Sequence, residues 1–580
     1  MNLIKNIFCT KTSTIFDIMQ IFENASEYNL PSGIALFVDE KSKLIGVITE
    51  GDVRRALLSG CNANVQAIKF MTSTPIVFSQ ENSITEIFEK LPIELKKRNR
   101  KSIKYLGKVI LVNNDNQPVR VIDYHELWEQ KVATHRFIVV IGMGYVGLTL
   151  ALVLADSGFK VKGVEADLEK INLLNLGKTY VHEIGLTELL KEHLGNNLSF
   201  TNELPSDGDV FIIAVGTPIE FNDDNEPTPN IEILKNACIK IASKLRRGNL
   251  VILRSTVPIG TTRDVVKELL ESLSGLICGI DFHLAFAPER TAEGRAIKEL
   301  RTLPQIIGGF NDDSVRSTEA IFRDITPTIV KVDSLEAAEM TKLINNSFRD
   351  YVFAFSNQVA QVAYNFNIDV FKVIKAANEG YIRDPVPLPS PGVGGPCLTK
   401  DSHIFASVAG NYPISTEIFG NSRKINESMH PFIYNNIGNA IKVAKKNIDN
   451  CNLLFCGLAF KGYPETGDLR NSTSIEIANL FKGKVKNMYG YDPVASPNDI
   501  EKYGLKSYDI QKGFKNIDIV LFLNNHKSFE KINVFDMVSF MNENPIIFDG
   551  WDTFFHEDII SIRPSVYLGL SYISESISNL

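Results

Sequence analysis

The chain has 580 residues, too many for one hydrophobic core, and its length implies about three to five domains. A charged fraction of 22% and a hydrophobic fraction of 44% belong to a soluble globular protein and exclude fibrous and disordered classes. A net charge of −7 offers no footprint for a nucleic-acid partner. The opening stretch, Met1 to Phe8, lacks the apolar core and small-residue cleavage site of a signal peptide, and no apolar run is long enough to cross a bilayer. Seven cysteines at scattered positions, without CxxC pairing, fit a reducing cytoplasm; neither a disulfide framework nor a metal site is expected.

Residues 1–131 read as short α/β units. The run Ile34-Ala35-Leu36-Phe37-Val38 is followed by a turn at Asp39–Lys43 and by Gly46-Val47-Ile48-Thr49-Glu50-Gly51-Asp52-Val53-Arg54-Arg55. A second copy runs from about Val65 to Trp128, opening on Met71-Thr72-Ser73-Thr74-Pro75 and ending in a charged helix, Tyr124 to Lys131. This resembles a CBS domain pair. The resemblance implies that Thr49 and Asp52 hold an adenosine ribose, while Asp123 and Glu126 stand in their places in a degraded second copy. Two readings follow: a regulatory adenine-nucleotide sensor, which requires different affinity in two states, or a dimerising module without ligand. The basic run Lys96 to Lys101 is either a phosphate neutraliser there or a solvated loop.

From Phe137 strands alternate with helices, as in a parallel sheet. Strands are predicted at Phe137–Ile141, Val161–Val164, Val210–Val215, Leu250–Leu253 and Leu284–Ala287, and helices at Ile231–Leu245 and Arg263–Leu273. Ser334 to about Phe366 carries apolar residues at helical spacing without Gly or Pro and predicts one long helix. A second, smaller α/β domain begins at Leu453–Gly457 and continues through Met488–Tyr491, Ile517–Leu523 and Ile546–Phe548. The expected architecture is therefore α/β, with two Rossmann-like parallel-sheet domains joined by a long central helix and preceded by an α+β module. The segments are 1–131, 137–330, 331–432 (helical, dimerising and cysteine-bearing) and 448–580.

Two segments carry chemistry. Gly142-Met143-Gly144-Tyr145-Val146-Gly147 has GxGxxG spacing after a strand and before a helix, the arrangement that brings backbone and helix N-terminus to a pyrophosphate. Glu165, ending the next strand, stands where a carboxylate meets the adenosine ribose and favours NAD over its 2′-phosphorylated relative. In Gly392-Val393-Gly394-Gly395-Pro396-Cys397-Leu398-Thr399-Lys400-Asp401, a cysteine follows a Gly/Pro loop with a cation three residues on. Cations favour thiolate, the reactive form, so an activated nucleophile is expected. Cys238, Cys278, Cys451 and Cys456 read as structural.

These segments occur in order with Ala214–Pro218, Ser255–Thr262, Ala287-Pro288-Glu289-Arg290, Ala338–Asn346 and Gly457-Leu458-Ala459-Phe460-Lys461. Together they resemble the UDP-glucose/GDP-mannose dehydrogenase family, from about Phe137 to the C-terminus. The resemblance implies oxidation of a nucleotide sugar at C6 to a carboxylate with two NAD, serving surface-polysaccharide precursor synthesis. Cys397 would form a thiohemiacetal and then a thioester. Lys342 and Asn346, one helical turn apart, would stabilise the oxyanion. Glu293 would be the acid/base, Glu289 a supporting substrate contact, and Thr256 with Asp401 would position the hydrolytic water. Thr217 falls on the cofactor side, and Arg383, Lys400 and Lys461 on the substrate side, Arg383 often acting across a subunit interface.

Departures from the pattern bear on the substrate. Trp551 follows Phe548-Asp549-Gly550 where many UDP-glucose enzymes carry arginine, and Pro396 and Thr399 are unusual beside the cysteine. Asn525-His526-Lys527-Ser528-Phe529 and the Pro-Gly-Val-Gly-Gly loop look more like members acting on N-acetylhexosamine nucleotides. The expectation is a cytoplasmic homodimer or higher homo-oligomer acting on a UDP-sugar, UDP-N-acetylhexosamine or UDP-glucose. The alternatives are a GDP-mannose 6-dehydrogenase and a catalytically silent nucleotide sensor.

Overall fold

In a computed structural model the protein is described over residues 3–28, 30–80, 82, 87, 90–91, 94, 108–123, 136–223, 227–410 and 413–576. It divides into two compact units, Met1–His135 and Arg136–Leu580.

The first unit uses one strand motif twice. β1 (Phe8–Cys9) runs parallel to β2 (Ile34–Val38), which pairs antiparallel with β3 (Leu44–Thr49). β4 (Val77–Ser79) runs parallel to β5 (Lys108–Val112), which pairs antiparallel with β6 (Pro118–Asp123). Each hairpin slips register at the same place, between Phe37 and Val38 or between Leu111 and Val112. Thr49 faces Ile34 and Asp123 faces Lys108, so Asp123 stands in the second copy where Thr49 stands in the first. Glu126, the Lys96–Lys101 run and the Tyr124–Lys131 helix lie outside the described residues. Helix α1 (Ile15–Asn24) is capped by Thr14. Helix α2 (Glu50–Leu58) follows Thr49, whose N–H and hydroxyl both donate to Asp52 at 2.9 and 2.7 Å. Asp52 also pairs with Arg55 at 2.6 Å. The predicted ribose pair is therefore a helix-starting pair in this conformation.

The second unit holds two sheets. The strands of the first are β7 (Phe137–Ile141), β8 (Lys160–Val164), β9 (Leu198–Thr201), β10 (Val210–Ile213), then, after a small hairpin β11–β12 (Ile219–Phe221, Pro227–Pro229), β13 (Leu250–Leu253), β14 (His283–Phe286), β15 (Gln305–Gly309) and β16 (Ile329–Val332). Their order is β16-β15-β14-β13-β10-β7-β8-β9, all parallel except β14 with β15. The inner strands are buried on both faces, which is why they read as continuous apolar runs rather than alternating ones. The strand order reverses between β7 and β10, and a crevice at such a switch point is where open α/β sheets take ligands.

Helix α3 (Tyr145–Asp156) follows β7. The predicted long helix is α4 (Leu335–Tyr364), capped by Ser334, which accepts from the Ala337 N–H at 3.1 Å. Helices α5 (Leu398–Ala406) and α6 (Glu417–Val443) pack against α4. The second sheet contains β17 (Asn452–Cys456), β18 (Asn487–Tyr491), β19 (Lys506–Ser507), β20 (Ile519–Phe522), β21 (Ile546–Asp549), β22 (Val566–Gly569) and β23 (Ile573–Glu575). It is parallel except at β22–β23. One predicted helix differs: Arg263–Leu273 starts as a π-helical stretch, Thr262–Lys267, and becomes α-helical only at Glu268–Ser274. Its start is held from outside, because the Thr262 N–H and hydroxyl donate to Glu339 of α4.

Candidate active site

The glycine turn lies at the switch point. Gly142 has φ +92, and a side chain there would meet the Ala214 carbonyl at 2.8 Å; a Cβ on Gly147 would lie 1.8 Å from the Gly142 carbonyl. Gly144 faces open space at the start of α3. Tyr145 and Val146 open that helix, whose first N–H groups have no intrahelical partner. Glu165 sits beside the turn, accepting from the Met143 N–H at 2.9 Å and from the N–H groups of Ala166 and Asp167. Thr217 is buried and donates to the Thr256 carbonyl at 2.5 Å, joining the loops after β10 and β13. A cradle only glycine permits, an open approach at Gly144, free helix N–H donors and an adjacent carboxylate fit a dinucleotide. Tyr145 donates to Glu183, which also accepts from the Gly294 N–H at 2.8 Å, so the turn is tied to the loop bearing Glu289 and Glu293.

Cys397 takes the N-cap position of α5. Its side chain is reachable from solvent yet sits in a crowded cleft, and this desolvation pushes the thiol up to about 11. Lys342 and Lys400 pull it down; Asp401 and Glu289 push it up. Desolvation outweighs the pull of the two lysines, each of which is also paired with a carboxylate. Lys342, buried on α4, lies 3.4 Å from Glu289. Lys400 lies 2.9 Å from Asp401.

Asp401 is fully buried, and its second oxygen accepts from the Asn346 amide at 2.6 Å. Glu289 is buried as well. Burial alone would raise its carboxyl, but Lys342, Arg254 and the Thr291 N–H together hold it below the usual range. Two bonded sets, Lys342–Glu289 and Asn346–Asp401–Lys400, are thus connected through electrostatic reach to each other and to Cys397 across α4, α5 and the loop after β14. Thr256 and Asp401 share no direct hydrogen bond.

Glu293 lies at the seam between the two lobes, its side chain only 13% exposed. Burial, then Asp468, pushes its carboxyl up to about 7 against Arg470, Lys461 and Thr466. Lys461 does not reach into open cleft: its ammonium donates to the Glu293 carbonyl at 2.8 Å. Arg383 stands on an exposed loop with its guanidinium over the Tyr381 ring, and no contact joins it to Cys397, Lys342 or Glu293.

Several residues that position the site were not predicted. Asp350 of α4 and Arg423 of α6 form a wholly buried pair at 2.6 Å. Arg423 also donates to the Val393 carbonyl at 3.0 Å, Asn426 donates to Asp350, and Ser402 of α5 donates to Asp350. This network holds the glycine loop and the Cys397 helix to α4. Glu339, one turn before Lys342, accepts from the Gly260 and Thr262 N–H groups and fixes the Thr256 loop to the same helix. The available signal was polar residues on the apolar faces of two helices.

Residues 136–326 match the NAD binding domain of the UDP-glucose/GDP-mannose dehydrogenase family, 336–428 its central domain and 454–556 its UDP binding domain; residues 3–59 match a CBS domain. The chain is 33% identical over 420 residues to a UDP-N-acetyl-D-mannosamine dehydrogenase of Pyrococcus horikoshii, covering 71% of this chain and 94% of the relative. It is 32% identical to the Campylobacter jejuni enzyme of that name, covering 70% and 98%. The solved Pyrococcus horikoshii UDP-D-ManNAc dehydrogenase superposes with a TM-score of 0.66 at 31% identity, over 75% of this chain and 99% of that one. The chain belongs to the UDP-glucose/GDP-mannose dehydrogenase family. It is an NAD-dependent nucleotide-sugar dehydrogenase with an N-terminal CBS domain. Among the described residues no helix is long and apolar enough to cross a membrane.

Proposed function

We propose that the protein oxidises a UDP-linked N-acetylhexosamine at C6 to the uronic acid, a four-electron reaction with a thioester on Cys397. What carries this reading is the connected group of Cys397, Lys342, Asn346, Asp401 and Glu289 beside a dinucleotide crevice, together with relatives named for a UDP-N-acetylhexosamine. Gly142–Gly147 and Glu165 would hold NAD, two molecules in succession supplying the hydride acceptors for the two oxidations. Glu293 takes the C6 hydroxyl proton, for which a carboxyl near 7 is suited. Cys397 then adds to the aldehyde carbon, its thiol proton passing to the carbonyl oxygen to give the thiohemiacetal, while the ammonium of Lys342 and amide of Asn346 face the charge developing on that oxygen; loss of the C6 hydride to the second NAD and of the hydroxyl proton to solvent gives the thioester. The 3.4 Å separation of Lys342 from Glu289 is long for a charge-assisted bond, which leaves the ammonium able to turn to the substrate. Thr256 and Asp401 hold the water that releases the acid, Glu289 and Lys400 line the sugar side, and Lys461 holds the Glu293 carbonyl at its edge. The product is a precursor for surface polysaccharide made in the cytoplasm.

The central helix supports a homodimer. Met340, Ile344, Phe348, Tyr351 and Phe355 lie at spacings of three and four on α4 and are all 40% exposed or more, a continuous apolar stripe. In this reading Arg383, on its exposed loop, serves a partner's site. Phe348→Asp is expected to shift the protein to monomer in sedimentation velocity; an unchanged oligomer would remove α4 as the interface.

A panel of UDP- and GDP-sugars assayed for NADH should show turnover with UDP-N-acetylhexosamines and two NADH per sugar; one NADH per sugar would overturn the thioester route. We infer that the CBS unit senses adenine nucleotide through Thr49 and Asp52. Adding ATP or AMP to the same assay should change the rate in the native chain but not in Asp52→Ala. A rate indifferent to every adenine nucleotide leaves the unit a dimerising module.

A further inference from the structure

Glu293 belongs to the NAD lobe, yet its carboxylate is surrounded by the other lobe. Thr466 donates to Glu293 Oε2 at 3.2 Å, Arg470 approaches Oε1 at 4.0 Å, and Lys461 holds the Glu293 carbonyl. Arg470 is clamped in turn by Asp468, whose two oxygens accept from its Nε at 2.9 Å each and whose backbone N–H is fixed by Thr466 at 3.2 Å. These three residues occupy one turn between β17 and the following helix, and the chain is pinned to that place because a Cβ on Gly294 would lie 2.5 Å from the Glu465 carbonyl. Among the described residues, Asp468, Arg470 and Lys461 are joined in facing Glu293 by Tyr145 of the NAD lobe, itself bonded to Glu183. Arg470 is also within electrostatic reach of the Cys397 thiol.

We propose that Asp468 and Arg470 are positioning residues of opposite sign for the acid/base Glu293, so that the turn Thr466–Arg470 of the C-terminal lobe sets when this carboxyl holds its proton. The inference rests on the reading of Glu293 as the acid/base. Physically, a carboxylate beside another carboxylate keeps its proton longer, and one beside a guanidinium gives it up sooner. Asp468 therefore does two things: it repels the Glu293 charge directly and holds Arg470 at 4.0 Å instead of in contact. The outcome is a base neither permanently charged nor permanently protonated near neutral pH.

The test is the acid limb of kcat/KM against pH in three variants of the full chain. In the native protein activity should fall below about 7, as Glu293 takes up a proton and can no longer accept one. Glu293→Gln should be slow and lack that limb; if the limb survives, the acid/base reading of Glu293 fails, whatever the other variants do. With the limb assigned to Glu293, Asp468→Asn should move it down and Arg470→Gln up, each by about 0.5–1 pH unit. The opposite directions are the signature. Variants that lower kcat/KM without moving the limb would make the turn merely structural and overturn the inference. Arg470 is largely exposed, so its substitution reports even where Asp468→Asn fails to fold.

Discussion

Cys397→Ser is expected to abolish formation of the sugar carboxylate, with turnover lower by on the order of 10³-fold or more. The substitution changes one atom at a side chain that solvent reaches, so folding should be unaffected. The loss is chemical. A thiol at about 11 can surrender its proton as it adds to an aldehyde, whereas a hydroxyl is far less acidic and a weaker nucleophile, and any ester it formed would be a less activated acyl group for water to release. Placement at the start of α5 adds the favourable end of a helix dipole, which acts on a developing negative charge at either atom but is most useful to sulfur. The measurement is carboxylate and NADH per sugar consumed. An undiminished two-NADH yield from the serine variant would remove Cys397 from the reaction.

Lys342→Met should have the second largest effect, and it should appear in two observables. Loss of the ammonium facing the oxyanion is worth about 2.7–4 kcal/mol of barrier, or roughly 10²–10³ in kcat. The same change leaves Glu289 buried with Arg254, Arg290 and Thr291 to offset its charge, and breaking a buried pair commonly costs about 3–5 kcal/mol of stability. Adding Glu289→Gln should restore most of the thermal stability and none of the rate, because it removes the stranded charge without replacing the catalytic cation. Recovery of activity in the double variant would mean that Lys342 only balances Glu289.

What the sequence made legible was local. The glycine turn, the strand before it and the Ser334-capped helix each depend on residues a few positions apart, and all stand where expected. The spacing of Lys342 and Asn346 put them on one face of α4, as found. The hairpin of Ile34–Val38 and Leu44–Thr49 around the turn at Asp39–Lys43 is readable for the same reason. The misses were contacts made only by tertiary packing. Asp350 and Arg423 are 73 positions apart, Thr262 and Glu339 77, and Thr466 and Glu293 173. Nothing in the spacing of those residues announces a partner. Around Cys397 the nearby lysines are legible in the sequence, whereas the burial of the thiol and the carboxylates that hold those lysines, Glu289 and Asp401, come only with the fold.

The close approach of Gly294 to the Glu465 carbonyl has a consequence for the history of such chains. Here two lobes meet backbone to backbone at a point that admits no side chain, and Arg295 beside it stacks on Tyr463 at 4.9 Å. A lobe joined this way is not freely interchangeable. Recombination that exchanged the C-terminal lobe for one with another nucleotide preference would have to carry both sides of the seam together, or lose the fit around Glu293.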